Sequence, residues 1–301
     1  MSSPQDQEVS ELSVPAPWGE IKGKIWGPDD GYPVLCLHGW ADNCASFDCL
    51  VPLLPKECRY VATDLVGHGL SSHRAPGVSY LLSDYVADVC RVVEDLQWTK
   101  FSIIGHSMGG FIAGMFGALY PEMVDVLVLL DSYGFVITRP DDLSKLMRQG
   151  IDEMMKFNTF NSRVYTFETA QERLLAANPT LSERSVHTLL KRGLTQVEGG
   201  FVFSRDLRVN FKHIHRFSLE VCLELQSKIQ ASTLIILADN GFGMPSKQQE
   251  ASELLQAFKD RNHAVVSVPG DHHVHLNDPE VVAPLVTDFL RSKVISQQLP
   301  A

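Results

Sequence analysis

FSIIGHSMGG, residues 101–110, is the stretch of the chain that decides its fold. Residues 101–104 form a short apolar run typical of a buried strand, and the small residues that recur after Gly109 predict a helix. A serine between a strand and a helix needs flanking glycines, because a Cβ there would collide with the neighbouring strand or helix. Such a turn exposes the Ser107 hydroxyl beside the amides of a helix N-terminus. The pattern therefore predicts a nucleophile at Ser107.

The alternation of strand and helix continues on both sides of this motif. Further short apolar runs occur at residues 33–37, 60–63, 126–130, 234–237 and 264–268. Helical spacing of apolar residues occurs at 79–96 and 279–291. Near-continuous apolar strands separated by helices predict an α/β fold, with a mostly parallel sheet and helices on both faces. Residues 9–16 and 19–26 add a predicted hairpin.

Residues 134–228 interrupt this alternation. The interval is rich in charged residues, has a mostly helical pattern and contains no strong strand signal. An insertion between two strands of such a sheet can cover the carboxyl ends of the strands, where open sheets bind their ligands. We therefore predict one α/β domain over residues 1–301, with a helical lid at about 134–228.

A second element of the site is predicted upstream of Ser107. The tripeptide His38-Gly39-Trp40 directly follows the apolar run at residues 33–37. A backbone amide at this position can act together with the amide of the residue after the serine to hold a negatively charged oxygen. We therefore predict an oxyanion hole formed by the amides of Trp40 and Met108.

Four motifs, taken in order, resemble those of the α/β-hydrolase family over nearly the whole chain. They are the His38-Gly39-Trp40 loop, the turn at residues 64–71, the elbow at residues 105–110, and a late histidine before Pro279. Residues 33–43 and 67–73 are most similar to the serine hydrolase-like (Kraken-like) proteins. The resemblance implies an α/β-hydrolase fold and hydrolysis of a small ester or another small acyl compound.

The resemblance also implies a catalytic base seven residues before Pro279, which is His272. His275 and His273 are the alternatives, because they lie in the same loop after the last predicted strand. Three histidines so close together suggest a metal site, but no matching Asp or His partners are identifiable elsewhere in the sequence. We therefore expect no metal.

The acid of the predicted triad stays open at the level of sequence. The family usually carries it after the strand at residues 234–237, in the position where this chain has Gly241. Asp131, at the end of the run 126–130, lies where the resemblance implies that some relatives place the acid, and it keeps the order Ser–Asp–His. It is the preferred candidate, with Asp239 as the alternative. A third possibility is that no carboxylate acts as the acid of the triad. The acid matters because it fixes the histidine tautomer and stabilises the imidazolium.

These residues predict a serine hydrolase of the carboxylic ester hydrolase type. The lid and the apolar residues Trp40, Met108 and Phe135 near the mouth favour a small carboxylic ester or thioester with a hydrophobic acyl part. Two alternatives remain. One is a C–C bond or peptide hydrolase of the same fold, and the other is a catalytically weak protein that binds a ligand. No cofactor is expected.

Composition and the pattern of apolar residues indicate which partners and which cellular compartment to expect. Lysine and arginine total 26 against 36 acidic residues, a net charge of −10, which argues against a nucleic-acid partner. The N-terminus lacks the pattern of a signal peptide, and no apolar stretch reaches the about 18 residues that span a bilayer. The six cysteines are too sparse for a disulfide scaffold. We expect a cytoplasmic protein without an integral membrane segment, of unknown oligomeric state.

Overall fold

The computed structural model describes residues 9–157, 163–242 and 249–296, which contain ten strands. The strands are β1 (Val9–Ala16), β2 (Gly19–Trp26), β3 (Tyr32–Leu37), β4 (Cys58–Thr63), β5 (Phe101–His106), β6 (Val124–Leu130), β7 (Leu194–Val197), β8 (Gly200–Phe203), β9 (Ser232–Asn240) and β10 (Ala264–Asp271). Eight of them form one sheet in the order β1-β2-β4-β3-β5-β6-β9-β10. The pairs β1–β2 and β2–β4 are antiparallel and the remaining pairs are parallel. The predicted hairpin and the mostly parallel sheet are confirmed.

Helices cover both faces of this sheet. They are α1 (Leu82–Asp95), α2 (Met108–Leu119), α3 (Pro140–Lys156), α4 (Phe167–Ala177), α5 (Glu183–Gly193), α6 (Leu219–Ser227), α7 (Gln249–Asp260), α8 (Val274–Asn277) and α9 (Pro279–Leu290). Alternate residues of a strand point to opposite faces, so Leu35 packs with the face covered by α1, α2 and α7. Its neighbour Cys36 packs with the face covered by α9. The prediction of helices on both faces is confirmed.

The insertion between β6 and β9 holds α3 to α6 and one feature that the sequence did not predict. The strands β7 and β8 form a separate antiparallel pair within it. Each strand has four residues, and those of β7 are mostly exposed. Strands this short, with polar residues such as Thr195 and Gln196, lack the apolar alternation by which a strand is recognised. The expectation of an insertion without strands is therefore wrong at residues 194–203.

A buried ion pair fastens this insertion to the sheet. Arg192, near the end of α5, donates from Nε to Oδ2 of Asp64, which directly follows β4, at 2.6 Å. Both partners are buried, and the Arg192 side chain also reaches Glu11 of β1 at 2.9 Å. Asp64 accepts further hydrogen bonds from the amides of Cys44 and Leu70. The insertion is thereby held close to the carboxyl ends of the strands.

In residues 9–157, 163–242 and 249–296, no helix is both long enough and apolar enough to cross a bilayer.

Candidate active site

Ser107 occupies a sharp turn between β5 and α2. Its backbone has φ 51° and ψ −116°, a conformation that a residue other than glycine rarely adopts. A Cβ on Gly105 would lie 2.5 Å from the carbonyl oxygen of Gly109, and one on Gly109 would overlap the carbonyl of Leu37. The glycines of the motif are therefore required by the close approach of the backbone, as the sequence predicted.

His272 lies between Ser107 and Asp131. Its Nε2 is 3.0 Å from the Ser107 Oγ, and its Nδ1 is 2.5 Å from Oδ2 of Asp131. His272 follows β10 directly and its side chain is 28% exposed, whereas the Asp131 carboxyl is fully buried. The structure thus brings together the three groups that the sequence predicted, with the imidazole between the hydroxyl and the carboxylate that can orient it.

The carboxylate of Asp131 is held by backbone amides from the end of β9 and from the loop that follows it. Oδ1 accepts a hydrogen bond from the amide of Ala238 at 3.1 Å, and Oδ2 accepts one from the amide of Phe242 at 2.7 Å. A Cβ on Gly241 would overlap this carboxylate. Asp239, the alternative acid, is exposed in β9, and within the described chain its carboxylate makes no hydrogen bond to His272. The geometry favours Asp131 as the partner of His272.

The residues of the predicted oxyanion hole lie on either side of the elbow. Met108 is the first residue of α2, so its amide has no acceptor inside the helix. The start of α2 packs against the carbonyls of Leu37 and His38, which brings the loop containing Trp40 beside the helix. Among the described residues, no carbonyl accepts a hydrogen bond from the amide of Trp40 or of Met108.

Ser107 and His272 line a cavity of about 460 Å³. Its apolar lining comes from the loop after β3, the start of α1, α2, the insertion and the loop after β9. The apolar residues are Trp40, Leu82, Met108, Phe111, Met115, Val136, Val209, Phe211, Phe217 and Phe242. The indole Nε1 of Trp40 donates to the carbonyl of Val209 at 2.8 Å, which joins the β3 loop to the insertion. The insertion therefore forms part of the wall of the cavity that contains Ser107 and His272.

One wall of the cavity is lined by basic residues, which the sequence analysis did not predict. Lys212, His213, His215 and Arg216 line the cavity, and in the sequence they form the recognisable run KHIHR. The guanidinium of Arg216 donates to the carbonyl of His213 at 2.6 Å. Partial burial lowers the pKa of Arg216.

A cluster of buried histidines lies behind the triad. His106 Nε2 is 2.8 Å from the carbonyl oxygen of His272, and the rings of His106 and His275 are 4.1 Å apart. His275 Nε2 is 2.7 Å from the hydroxyl of Ser46, and His273 Nε2 is 3.3 Å from Oδ2 of Asp42. Neither alternative base makes a hydrogen bond to Ser107 in the described chain. His272 is the histidine placed for that role.

The electrostatics of this cluster follow from burial and from Asp42. Burial lowers the pKa of His106 well below its usual range and that of His275 to about 3. Burial acts in the same direction on His273, but the Asp42 carboxylate outweighs it and raises the pKa of His273. Asp42 and His106 thus contact the loop that contains His272 and His273. The sequence did not reveal these contacts, because Asp42 and His106 lie more than 160 residues before that loop in the chain.

Comparison with known proteins agrees with this fold. The family model described as the alpha/beta hydrolase fold matches residues 32–279. The chain belongs to the α/β-hydrolase family. A serine hydrolase-like protein of Danio rerio is 51% identical over 291 residues, which cover 94% of this chain and 89% of that protein. The serine hydrolase-like protein 2 of Homo sapiens is 41% identical, with 97% of this chain and 96% of that protein covered.

Among solved structures, this α/β hydrolase is similar to a hypothetical protein from Pseudomonas aeruginosa PAO1. The two are 31% identical and superpose with a TM-score of 0.84, over 94% of this chain and 98% of the other. The resemblance to serine hydrolase-like proteins that the sequence motifs indicated is thereby confirmed. The chain is a serine hydrolase-like member of its family.

Proposed function

We propose that the protein is a serine hydrolase that cleaves a small carboxylic ester or thioester with a hydrophobic acyl part. The observation that carries this proposal is the pair of contacts made by His272, 3.0 Å to the hydroxyl of Ser107 and 2.5 Å to the carboxylate of Asp131. A hydroxyl activated by an oriented imidazole is the machinery of acyl transfer.

The reaction proceeds through an acyl-enzyme. Ser107 Oγ attacks the acyl carbonyl while its proton moves to His272 Nε2, and Asp131 stabilises the imidazolium that forms. The amides of Trp40 and Met108 donate hydrogen bonds to the oxyanion of the tetrahedral intermediate. His272 then returns the proton to the leaving alcohol or thiol. In the second half, His272 takes a proton from water while the water oxygen attacks the acyl carbonyl. The bond to Ser107 Oγ then breaks, His272 returns the proton to this oxygen, and the acid is released.

The cavity supports the choice of substrate. It is mostly lined by aromatic and other apolar side chains, which bind an alkyl or aryl acyl group by excluding water. A cavity of about 460 Å³ is in the range of sites for small organic molecules. The two relatives named above are described as serine hydrolase-like, which agrees with the proposed chemistry.

A fluorophosphonate probe tests the proposal, because it reacts with activated serines. We expect one adduct per chain, mapped to Ser107 by peptide mass spectrometry, and none in Ser107→Ala. Ser83→Ala is the matched control, since Ser83 also lines the cavity but makes no hydrogen bond to His272 in the described chain. Panels of aryl esters and acyl thioesters then separate the proposed activity from cleavage of C–C or peptide bonds. Folded protein that takes up no probe would favour the catalytically weak binding protein.

A further inference from the structure

Three metal-ligand atoms converge on one point beside the triad. They are Oδ2 of Asp42, Nδ1 of His106 and Nε2 of His273, and all lie within 4.8 Å of one another. Asp42 comes from the loop after β3, His106 is the last residue of β5, and His273 lies in the loop after β10. All three residues are buried. The cluster therefore joins three separate segments at the carboxyl edge of the sheet.

The tautomer of His106 leaves an unpaired acceptor in this cluster. The carbonyl oxygen of His272 can only accept, so the His106 Nε2 that lies 2.8 Å away carries the proton. A neutral imidazole that carries its proton on Nε2 has none on Nδ1, so Nδ1 is an acceptor. This Nδ1 has no hydrogen-bond partner in the described chain and faces Oδ2 of Asp42 at 3.7 Å. Two buried acceptors that face each other without a hydrogen between them are unfavourable unless a cation lies near both.

We propose that Asp42, His106 and His273 bind one divalent transition-metal ion of the Zn²⁺ class. Two imidazoles and a carboxylate are a donor set that Zn²⁺ and its neighbours accept, with solvent completing the coordination. Bonds of about 2.0–2.1 Å in a tetrahedral site place ligand atoms about 3.3–3.4 Å apart. Asp42 Oδ2 is already 3.3 Å from His273 Nε2 and 3.7 Å from His106 Nδ1. The ion takes the place of the proton that His273 shares with Asp42.

The surroundings of Asp42, His106 and His273 are also suited to binding a metal ion. A metal-binding histidine usually donates its second N–H to a backbone carbonyl or a carboxylate, and His106 does so to the carbonyl of His272. The three ligands also line the cavity that contains Ser107, which offers a path for the ion and room for a bound water. A Cβ on Gly39 would lie 2.8 Å from His106 Nδ1 and 3.2 Å from Asp42 Oδ2. The glycine therefore leaves this side of the ligands open.

Titration of the metal-free protein with Co²⁺ tests the proposal, because cobalt in a site of this kind absorbs visible light. We expect saturable binding of one ion per chain and a higher melting temperature, since an ion that binds only the native state stabilises it. Asp42→Asn and His273→Gln should each weaken binding at least 10-fold. His272→Gln and His215→Gln should retain it, because one alters the triad and the other removes an exposed histidine of the same cavity.

Several results would overturn the proposal. They are wild-type protein that binds no Co²⁺ at one ion per chain, ligand variants that bind as tightly as wild type, and binding that depends on His272 in place of Asp42. Circular dichroism and thermal unfolding of each metal-free variant establish that it is folded. The wild-type titration decides the question even if a ligand variant fails to fold.

Discussion

The carboxylate of Asp131 fills the space that a side chain at Gly241 would occupy. The family usually carries the acid in the loop after β9. Here that loop supplies the amide of Phe242, and the end of β9 supplies the amide of Ala238, as donors to the Asp131 carboxylate. The acid comes from the end of β6, where Asp131 has φ 44°. The glycine at residue 241 and the aspartate at residue 131 are thus two parts of one arrangement.

We expect Gly241→Ala to reduce the reactivity of Ser107, because the new methyl group displaces the Asp131 carboxylate from His272. A loss of 10-fold or more in the rate of fluorophosphonate labelling is expected. Gly117→Ala is the control, since a Cβ there meets only Leu127 Cδ2 at an ordinary 3.8 Å. Equal rates in the two variants would contradict the packing argument.

Replacement of the two candidate acids separates their roles. Asp131→Asn keeps the shape of the side chain but loses the charge that stabilises the imidazolium, and we expect ester turnover to fall by about 10⁴-fold. Asp239→Asn should change turnover little, because Asp239 is exposed and the described chain shows no hydrogen bond from it to His272. The values of kcat for one aryl ester measure both effects, and the reverse order would transfer the role to Asp239.

Replacement of His272 should abolish the reactivity of Ser107, whereas replacement of His275 should lower stability. His272→Ala removes the group that contacts Ser107, so we expect labelling to be lost while the fold is retained. His275→Ala instead leaves a cavity beside Phe47 and His106 and an unpaired hydroxyl on Ser46. We expect it to lower stability by about 2 kcal/mol or more and to spare labelling of the folded fraction. Urea unfolding and labelling of the same samples distinguish these effects.

Replacement of Arg192 should lower stability more than replacement of a cation on the surface. Arg192→Met keeps the apolar stem but leaves the buried Asp64 carboxylate without its cation, and we expect a loss of about 3 kcal/mol in the free energy of unfolding. Lys228→Met is the matched control, because Lys228 pairs with Glu224 on the surface and such pairs contribute about 1 kcal/mol or less. Urea unfolding monitored by tryptophan fluorescence measures both. Similar losses would mean that the buried pair does not hold the insertion.

His68 should make the protein sensitive to acid. Burial lowers its pKa well below the usual range, whereas in the unfolded chain it takes up a proton near pH 6.5. Below that pH the unfolded state binds one proton more than the native state, so the contribution present above pH 6.5 is lost as the pH falls. Each pH unit costs about 1.4 kcal/mol.

A glutamine at residue 68 removes this titration and can still form hydrogen bonds. We therefore expect wild-type protein to lose about 1 kcal/mol more than His68→Gln between pH 6.5 and pH 5.5, where the unfolded histidine goes from half to almost full protonation. Urea unfolding at several pH values between 7.5 and 5.0 measures the difference. Parallel pH profiles would show that His68 is not neutral in the native state.

The sequence by itself determined the local features of this protein. The strand, turn and helix around Ser107 follow from residues 101–110, because an apolar run, flanking glycines and small helix residues act within one short segment. The hairpin of β1 and β2 and the succession of buried strands follow from local periodicity in the same way. The position of His272 followed from its distance to Pro279 in the resembling family.

Only the tertiary structure decided which distant residues meet. Asp131 reaches His272 because β6, β9 and β10 are neighbours in the sheet, although 141 residues separate the two in the chain. Asp42 and His106 approach His273 for the same reason, since β3 and β5 are also adjacent and their ends lie at one edge. Strand order and register depend on the packing of the whole sheet, so no local pattern distinguishes Asp131 from Asp239 or reveals the partners of the histidine loop.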